Sequence, residues 1–233
     1  MSGHSHYATI KRQKEVKDAA KGNVFSKHVK AIMLAARAGG DPDSNFKLRV
    51  AMDKARADNM PKGNIDRAIA KATSDGKSLE EIVYEGFGPS GIVVMVEVAT
   101  DNKNRTAQEI KNLFEKGGGT LAGPGAVSYN FDNKGFLLIK KSDDPDSQTL
   151  SLIDLGAEDI TDSDDGLEVY VSPEKLSQER KKFLDAGFEV METELQMKPK
   201  TLVEVTDEEA VKITKFLDSF HEHDDVQKVY TNF

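Results

Sequence analysis

The residues with the clearest chemical meaning are the lysines near the amino terminus. Lys14, Lys17 and Lys21 are spaced three and four residues apart, so a helix would carry them on one face. A lysine ammonium binds phosphate as a point charge, which suits the backbone of a nucleic acid better than its bases. The predicted phosphate-binding residues are Lys11, Arg12, Lys14, Lys17, Lys21, Lys27, Lys30 and Arg37.

The distribution of charge along the chain supports this prediction. Residues 1–75 contain 15 Lys and Arg against 8 Asp and Glu, a net charge of +7, whereas the whole chain carries −8. The remaining residues therefore carry −15. Surface lysines are commonly no more than a solvated face, but uniform solvation would not require this separation. A polyanionic partner, either DNA or RNA, is the favoured interpretation.

A glycine-rich segment is the second candidate for chemistry. It contains Tyr84, Glu85, Gly86, Gly88 and Pro89. Glycine and proline mark turns, so the segment is predicted to be a loop. Two interpretations stay open, because the loop could bind a ligand or could simply connect two domains. An enzyme with its site at such a domain junction is a remote alternative.

No residue pattern indicates a catalytic triad, a phosphate-binding glycine loop or a zinc helix, so the sequence predicts no catalytic residue, metal or cofactor. The run from His221 to Asp225 could bind a metal, but alternate residues at a helix end seldom converge on one ion. The absence of cysteine excludes disulfides and thiolate sites. No apolar run is long enough to span a membrane, and we expect a cytoplasmic protein without a membrane partner. The oligomeric state stays open.

Hydrophobic spacing predicts a small helical domain over residues 1–78, which would position the lysines. Residues 8–21 permit a helix but are poor in apolar side chains. Three apolar sets at helical spacing predict three further helices: Phe25, Val29, Ile32 and Ala36; Leu48, Ala51, Met52 and Ala55; and Ile65, Ala68, Ile69 and Ala72. Short amphipathic helices cannot bury their apolar faces alone, so a bundle is expected.

From residue 79 onwards the sequence alternates strands and helices. Capping-box patterns at 78–81, 106–109 and 206–209 predict three helix starts. Residues 92–98 and 127–131 are predicted strands. The run from Phe136 has the order βαββαβ, which is typical of a ferredoxin-like domain.

The last predicted helix and strand form an incomplete sheet by themselves, so we expect them to return to the strands at 92–131. The predicted fold class is therefore α+β and multidomain, with a small helical bundle followed by two α/β domains, the ferredoxin-like one inserted into the other. The expected boundaries are 1–78 for the basic helical domain, 79–133 plus 202–233 for the first α/β domain, and 134–201 for the inserted domain.

Short motifs along the whole chain resemble the YebC/PmpR family. The matching motifs include Gly3-His4-Ser5, Asn59-Met60-Pro61-Lys62, Tyr84-Glu85-Gly86-Phe87-Gly88-Pro89, Asn104-Arg105-Thr106 and Asp225-Val226-Gln227. The chain departs from the family pattern at three points. These are His6-Tyr7 in place of Lys-Trp, Gly63 in place of an acidic residue, and Ser90 in place of glycine.

This resemblance implies one helical and two α/β domains and the role of a DNA-binding transcriptional regulator, not an enzyme. Some members of the family act instead in translation, as mitochondrial translational activators or in relief of ribosome stalling. A translation factor that binds RNA or the ribosome is therefore the alternative. A protein-binding adaptor that uses the acidic domains is a further hypothesis, based on the charge pattern alone.

Overall fold

Residues 21–74 of the protein form a bundle of three helices. The computed structural model describes residues 21–74 and 79–233. Its first helices are α1 (Lys21–Ala36), α2 (Phe46–Ala57) and α3 (Lys62–Ser74). The predicted phosphate-binding residues Lys11, Arg12, Lys14 and Lys17 lie outside the described residues, as does most of the helix expected at 8–21. The three amphipathic helices predicted from residue 25 onwards are confirmed.

The bundle is held by an apolar core and by one buried amide. Ile32, Leu48 and Ile65, one from each helix, are almost completely inaccessible to solvent. Asn45 caps α2, since its Oδ1 accepts a hydrogen bond from the backbone N–H of Leu48 at 3.1 Å. Its Nδ2 donates to two backbone carbonyls at the end of α1, each at 2.8 Å. A single side chain therefore fixes both the end of α1 and the start of α2.

The first α/β domain contains an antiparallel sheet with strand order β3-β1-β2-β8. Its strands are β1 (Glu80–Phe87), β2 (Val93–Thr100), β3 (Thr120–Ala122) and β8 (Val226–Thr231), and its helices are α4 (Lys103–Lys116) and α7 (Asp207–His221). Because β8 pairs with β2, the carboxyl-terminal segment returns to the first sheet as predicted. None of the helices in the described residues is long and apolar enough to span a membrane.

The intervening segment forms a second antiparallel sheet with strand order β5-β6-β4-β7. Its elements are β4 (Phe131–Ile139), α5 (Pro145–Asp154), β5 (Asp159–Ser163), β6 (Gly166–Val171), α6 (Leu176–Asp185) and β7 (Val190–Pro199). This βαββαβ order is the predicted ferredoxin-like arrangement, so the predicted fold class is confirmed.

The described residues divide into two compact units. Asp132–Lys198 belong to one, and the other joins the described residues before Asp132 to Pro199–Phe233. The helical bundle and the first α/β domain thus belong to the same compact unit.

Three local predictions are wrong. The helix expected to start at 78–81 is replaced by strand β1, which pairs with β2 along its whole length from Glu80 to Phe87. The predicted loop at 84–91 is consequently strand as far as Phe87, with a short turn at Pro89–Gly91. The strand expected at 127–131 is instead a single 3₁₀ turn, Ser128–Asn130, that leads into β4.

The glycines of the predicted loop have a packing role. Phe114 of α4 and Phe216 of α7 lie edge-to-face at a ring-centroid distance of 5.8 Å. A Cβ atom on Gly86 would come within 2.5 Å of the Phe114 ring, and one on Gly88 or Gly117 within 2.7 or 2.1 Å of the Phe216 ring. Gly86 and Gly88 therefore let the backbone approach the aromatic core.

Candidate nucleic-acid interface

The exposed cations of the helical bundle lie mainly on α2 and α3. Between residues 21 and 74 the chain has eleven Lys and Arg against five Asp, a net charge of +6. Six of these cations are exposed on the two helices, and we call them the α2–α3 cationic surface: Lys47, Arg49, Arg56, Lys62, Arg67 and Lys71. Arg37, immediately after α1, is also exposed.

Two of the predicted phosphate-binding lysines on α1 contact the first α/β domain. Lys27 Nζ donates to the carbonyl oxygen of His221, the last residue of α7, at 2.6 Å. Lys30 Nζ lies 2.5 Å from Asp225 Oδ1 and donates to the carbonyl oxygen of Asp224 at 3.0 Å. The carboxyl end of a helix is the negative end of its dipole, so these positions suit ammonium groups.

Asp225 is the centre of an ion-pair network behind this contact. Its side chain is only 4% exposed. Besides Lys30, its carboxylate accepts hydrogen bonds from Arg105 Nη2 at 2.9 Å and from Thr106 Oγ1 at 2.6 Å, both on α4. We call this set of side chains the Asp225 network. Three elements thereby meet on one carboxylate: α1, α4 and the turn before β8.

The surroundings of Asp225 determine its protonation. Burial would raise the pKa of this carboxyl group, but the hydrogen bonds from Lys30, Thr106 and Arg105 outweigh burial and hold the pKa well below its ordinary value. The bond to Asp225 raises the pKa of the Arg105 guanidinium in turn. A carboxylate with so low a pKa is a weak base, so Asp225 is suited to holding cations and not to proton transfer.

His223 and Glu109 extend the network towards solvent. His223 Nδ1 accepts the backbone N–H of Asp225 at 3.1 Å, so Nε2 carries the proton and donates to Glu109 Oε2 at 3.0 Å. One ligand atom each from Glu109, His223 and Asp225 lies within 4.8 Å of the others, a spacing that could hold a metal ion. Both imidazole nitrogens and both carboxylate oxygens of Asp225 already have partners, so we assign the cluster as an ion-pair network.

A cleft of about 1010 Å³ lies between the helical bundle and α4. Phe25, Met33 and Leu113 contribute to its apolar lining, and Lys71 and Lys116 lie on its opposite walls. Acidic side chains also line it, among them those of the Asp225 network. The mixture of charges makes the cleft a poorer site for a polyanion than the α2–α3 cationic surface.

Glu85, which belongs to the predicted loop, is buried in β1 and binds the backbone of residues 125–128. Its carboxylate accepts backbone N–H bonds from Gly125 at 2.7 Å, Val127 at 2.7 Å and Ser128 at 2.8 Å. Burial would raise the pKa of Glu85, but these bonds lower it below its ordinary value. Burial and the negative charge of Asp225 raise the pKa of Tyr84, the adjacent residue.

Both parts of the chain match known protein domains. Residues 5–75 match the family described as "TACO1/YebC protein N-terminal domain", and residues 79–233 match "TACO1/YebC second and third domain". The chain belongs to the TACO1/YebC family. The family resemblance noted from the sequence motifs is thus confirmed over nearly the whole chain.

Bacterial members of the TACO1/YebC family are similar to this chain over its full length. A "Probable transcriptional regulatory protein" of Bacillus licheniformis is 46% identical over 238 residues, covering 100% of this chain and 99% of the relative. One of Dictyoglomus turgidum is 45% identical over 238 residues, with 100% and 96% covered. The crystal structure of a conserved hypothetical protein from Aquifex aeolicus superimposes with a TM-score of 0.85 at 37% identity, covering 93% of this chain and 91% of that one.

Sequence reasoning missed the Asp225 network. Three of its members, Arg105, Thr106 and Asp225, lie in two of the short TACO1/YebC motifs, which the fold brings together across 120 residues of chain. Lys30 lies in neither motif. The available signal for this contact was that the first motif contains a cationic residue and the second an acidic one. Nothing in the spacing of either motif indicates that they touch.

Proposed function

We propose that this protein is a nucleic-acid-binding regulator of gene expression, and that its helical bundle docks on the phosphate backbone of DNA. The observation that carries the proposal is the charge separation, since the described part of the bundle has a net charge of +6 in a chain of −8. Relatives in two bacteria are named probable transcriptional regulatory proteins, which supports a regulatory role.

The chemistry of the exposed side chains favours docking over base reading. Lys47, Lys62 and Lys71 present point charges, which recognise phosphate in any sequence. An enzymatic role has less support because the buried carboxylate of Asp225 is saturated by two cations and a hydroxyl. The bundle therefore resembles a binding module more than a catalytic site.

The salt dependence of binding tests the proposal. Fluorescence anisotropy of the full chain with a labelled 20-base-pair DNA duplex should show affinity falling by about 10³ to 10⁵ between 50 and 200 mM salt, the loss for 6–10 phosphate contacts. An affinity that does not change with salt, or no binding at 50 mM, would contradict it.

A matched single-stranded RNA in the same titration decides between the two polyanions. Tighter binding to the duplex supports transcriptional regulation. Tighter binding to RNA, together with sedimentation of the protein with ribosomes, would replace it with the translation-factor alternative. In-cell crosslinking with sequencing of the bound DNA and RNA would then identify the target.

A further inference from the structure

We infer that α2 and α3 form the surface that contacts nucleic acid, and that the cationic side of α1 instead fastens the helical bundle to the first α/β domain. This assignment rests on the proposed function and specifies which cations meet phosphate. It separates two groups of lysines that the sequence alone treats as equivalent.

The lysines of α1 are engaged inside the protein. Lys30 neutralises a carboxylate that is 4% exposed, and its Nζ also bonds a backbone carbonyl. To reach a phosphate it would have to leave Asp225 with one fewer cation in a buried position, which is costly. Lys27 likewise donates to the end of α7 at 2.6 Å. These two ammonium groups therefore hold the helical bundle against the first α/β domain.

Three exposed lysines of α2 and α3 are available to bind phosphate. Lys47, Lys62 and Lys71 are exposed, and their Nζ atoms have no hydrogen-bond or ion-pair partner among residues 21–74 and 79–233. Binding a phosphate would thus break no described contact of these three side chains. The favourable free energy from release of the DNA counterions would therefore not be offset by the loss of a contact within the protein.

Arginines add rigid donors to the same surface. Arg49 donates through Nε and Nη2 to the carbonyl oxygens of Pro42 and Asp43, each at 3.1 Å. These bonds hold the guanidinium in place and leave Nη1 with donors for a phosphate oxygen. A pre-positioned arginine loses less side-chain entropy on binding than a free one.

The acidic residues on these two helices leave them with a net positive charge. Residues 46–74 contain seven Lys and Arg against three Asp, a net charge of +4. Asp58 Oδ2 lies 2.7 Å from His28 Nε2, and Asp53 Oδ1 lies 3.0 Å from Arg56 Nη1. Only four residues separate α2 from α3, and Asn59 makes the turn with a φ of 60°. The cations therefore lie on two adjacent helices of one bundle.

Two double variants of the full chain separate the groups with equal loss of charge. Lys47→Gln with Lys62→Gln removes two cations from the α2–α3 cationic surface, and Lys27→Gln with Lys30→Gln removes two from α1. The slope of log affinity against log salt, measured with the DNA duplex, should become shallower by about 2 in the first variant. In the second variant the slope should stay at the wild-type value.

A second measurement shows what the α1 pair does. Amide hydrogen exchange in α1 and in the segment around Asp225 should become faster in the Lys27→Gln, Lys30→Gln variant, and should be unchanged in the other. Circular dichroism confirms folding, and Lys27→Gln alone replaces the pair if the double variant does not fold.

The outcomes distinguish this inference from the proposed function. A steep wild-type slope that flattens equally in both variants, or only in the α1 variant, would overturn the assignment while leaving nucleic-acid binding intact. A flat wild-type slope would overturn the proposed function itself.

Discussion

At the scale of single residues, Asp225 is a buried carboxylate that depends on its cationic partners. A carboxylate that is 4% exposed would be strongly destabilising without partners, yet it receives two cations and a hydroxyl. From the sequence alone, Asp225 is one of five residues in a run that could bind a metal, and its ion-pair role is not predictable. The reason is geometric, since Lys30 is 195 residues away in the chain.

Asp225→Asn should lower the free energy of unfolding by about 3 kcal/mol at pH 7, because Lys30 and Arg105 lose their buried counter-charge. The folded pKa of Asp225 is depressed, so its contribution is complete above the ordinary aspartate pKa of about 3.9 and is lost as pH falls further. The difference between wild type and variant should therefore narrow below about pH 4. Urea unfolding between pH 3 and 7 measures it.

Asp224→Asn is the matched control for that experiment. The Asp224 side chain is exposed, and the residue contacts Lys30 through its backbone carbonyl. We expect a change within about 0.5 kcal/mol at every pH. An equal loss of unfolding free energy in both variants would mean that the total negative charge of the turn, and not the Asp225 network, stabilises the protein.

Ser90 is a second unusual residue, because it adopts a left-handed conformation with φ 59° and ψ 17° where the family pattern has glycine. Its hydroxyl donates to Glu209 Oε1 at 2.9 Å. Ser90→Ala keeps the backbone strain and loses the bond, whereas Ser90→Gly removes the strain. The glycine variant should be more stable than the alanine variant by about 1 kcal/mol in thermal unfolding. The opposite order would show that this turn is not strained.

At the scale of elements, the three capping-box patterns show what local sequence can predict. The pattern at 206–209 is a real cap, with the Thr206 N–H donating to Glu209 Oε2 at 2.9 Å. In the second, Thr106 is buried inside α4, and Asn102 caps the helix instead. The first pattern leads into strand β1. A capping box contributes about 1 kcal/mol, so pairing with β2 and packing of α4 override it.

Periodicity predicted the elements that do not depend on distant partners. The apolar faces of α1, α2 and α3 and the βαββαβ order emerged from spacing alone. The three-residue strand β3 was missed, because it is defined by pairing with β1 and carries little hydrophobic pattern of its own. The loop predicted from Gly86 and Gly88 was wrong for the same reason, because these glycines make room for the rings of Phe114 and Phe216, which are distant in the chain.

Two glycine-to-alanine substitutions should have opposite signs. Gly117→Ala places a Cβ atom 2.1 Å from the Phe216 ring, so overpacking should cost about 2 to 3 kcal/mol. Gly63→Ala, in the first turn of α3, meets no atom within 4 Å and should add about 0.5 kcal/mol through helix propensity. Urea denaturation of both variants measures the difference. Equal effects would show that the aromatic core can move to admit a methyl group.

At the scale of the whole molecule, charge composition identifies the cationic domain but not the surface with which that domain would contact nucleic acid. In the sequence, Lys27 and Lys30 count as positive charges just as Lys47 and Lys62 do. Only the fold shows that Lys27 donates to the carbonyl oxygen of His221 and that Lys30 forms an ion pair with Asp225. Which lysines are free therefore depends on contacts between residues nearly 200 positions apart, and no local pattern reports them.

The late position of β8 has a consequence for synthesis of the chain. Strand β2 is made early, but its partner β8 and the packing helix α7 are made only after the whole of Asp132–Lys198. At 5–20 residues per second, the unpaired edge and the apolar face of β2, which ends at Thr100, wait roughly 7 to 26 seconds until β8 is complete at Thr231. The inserted unit has all its strands by then and can close first. The nascent chain thus exposes an unpaired strand edge through much of its synthesis, and such an edge can pair with a strand of another chain until β8 covers it.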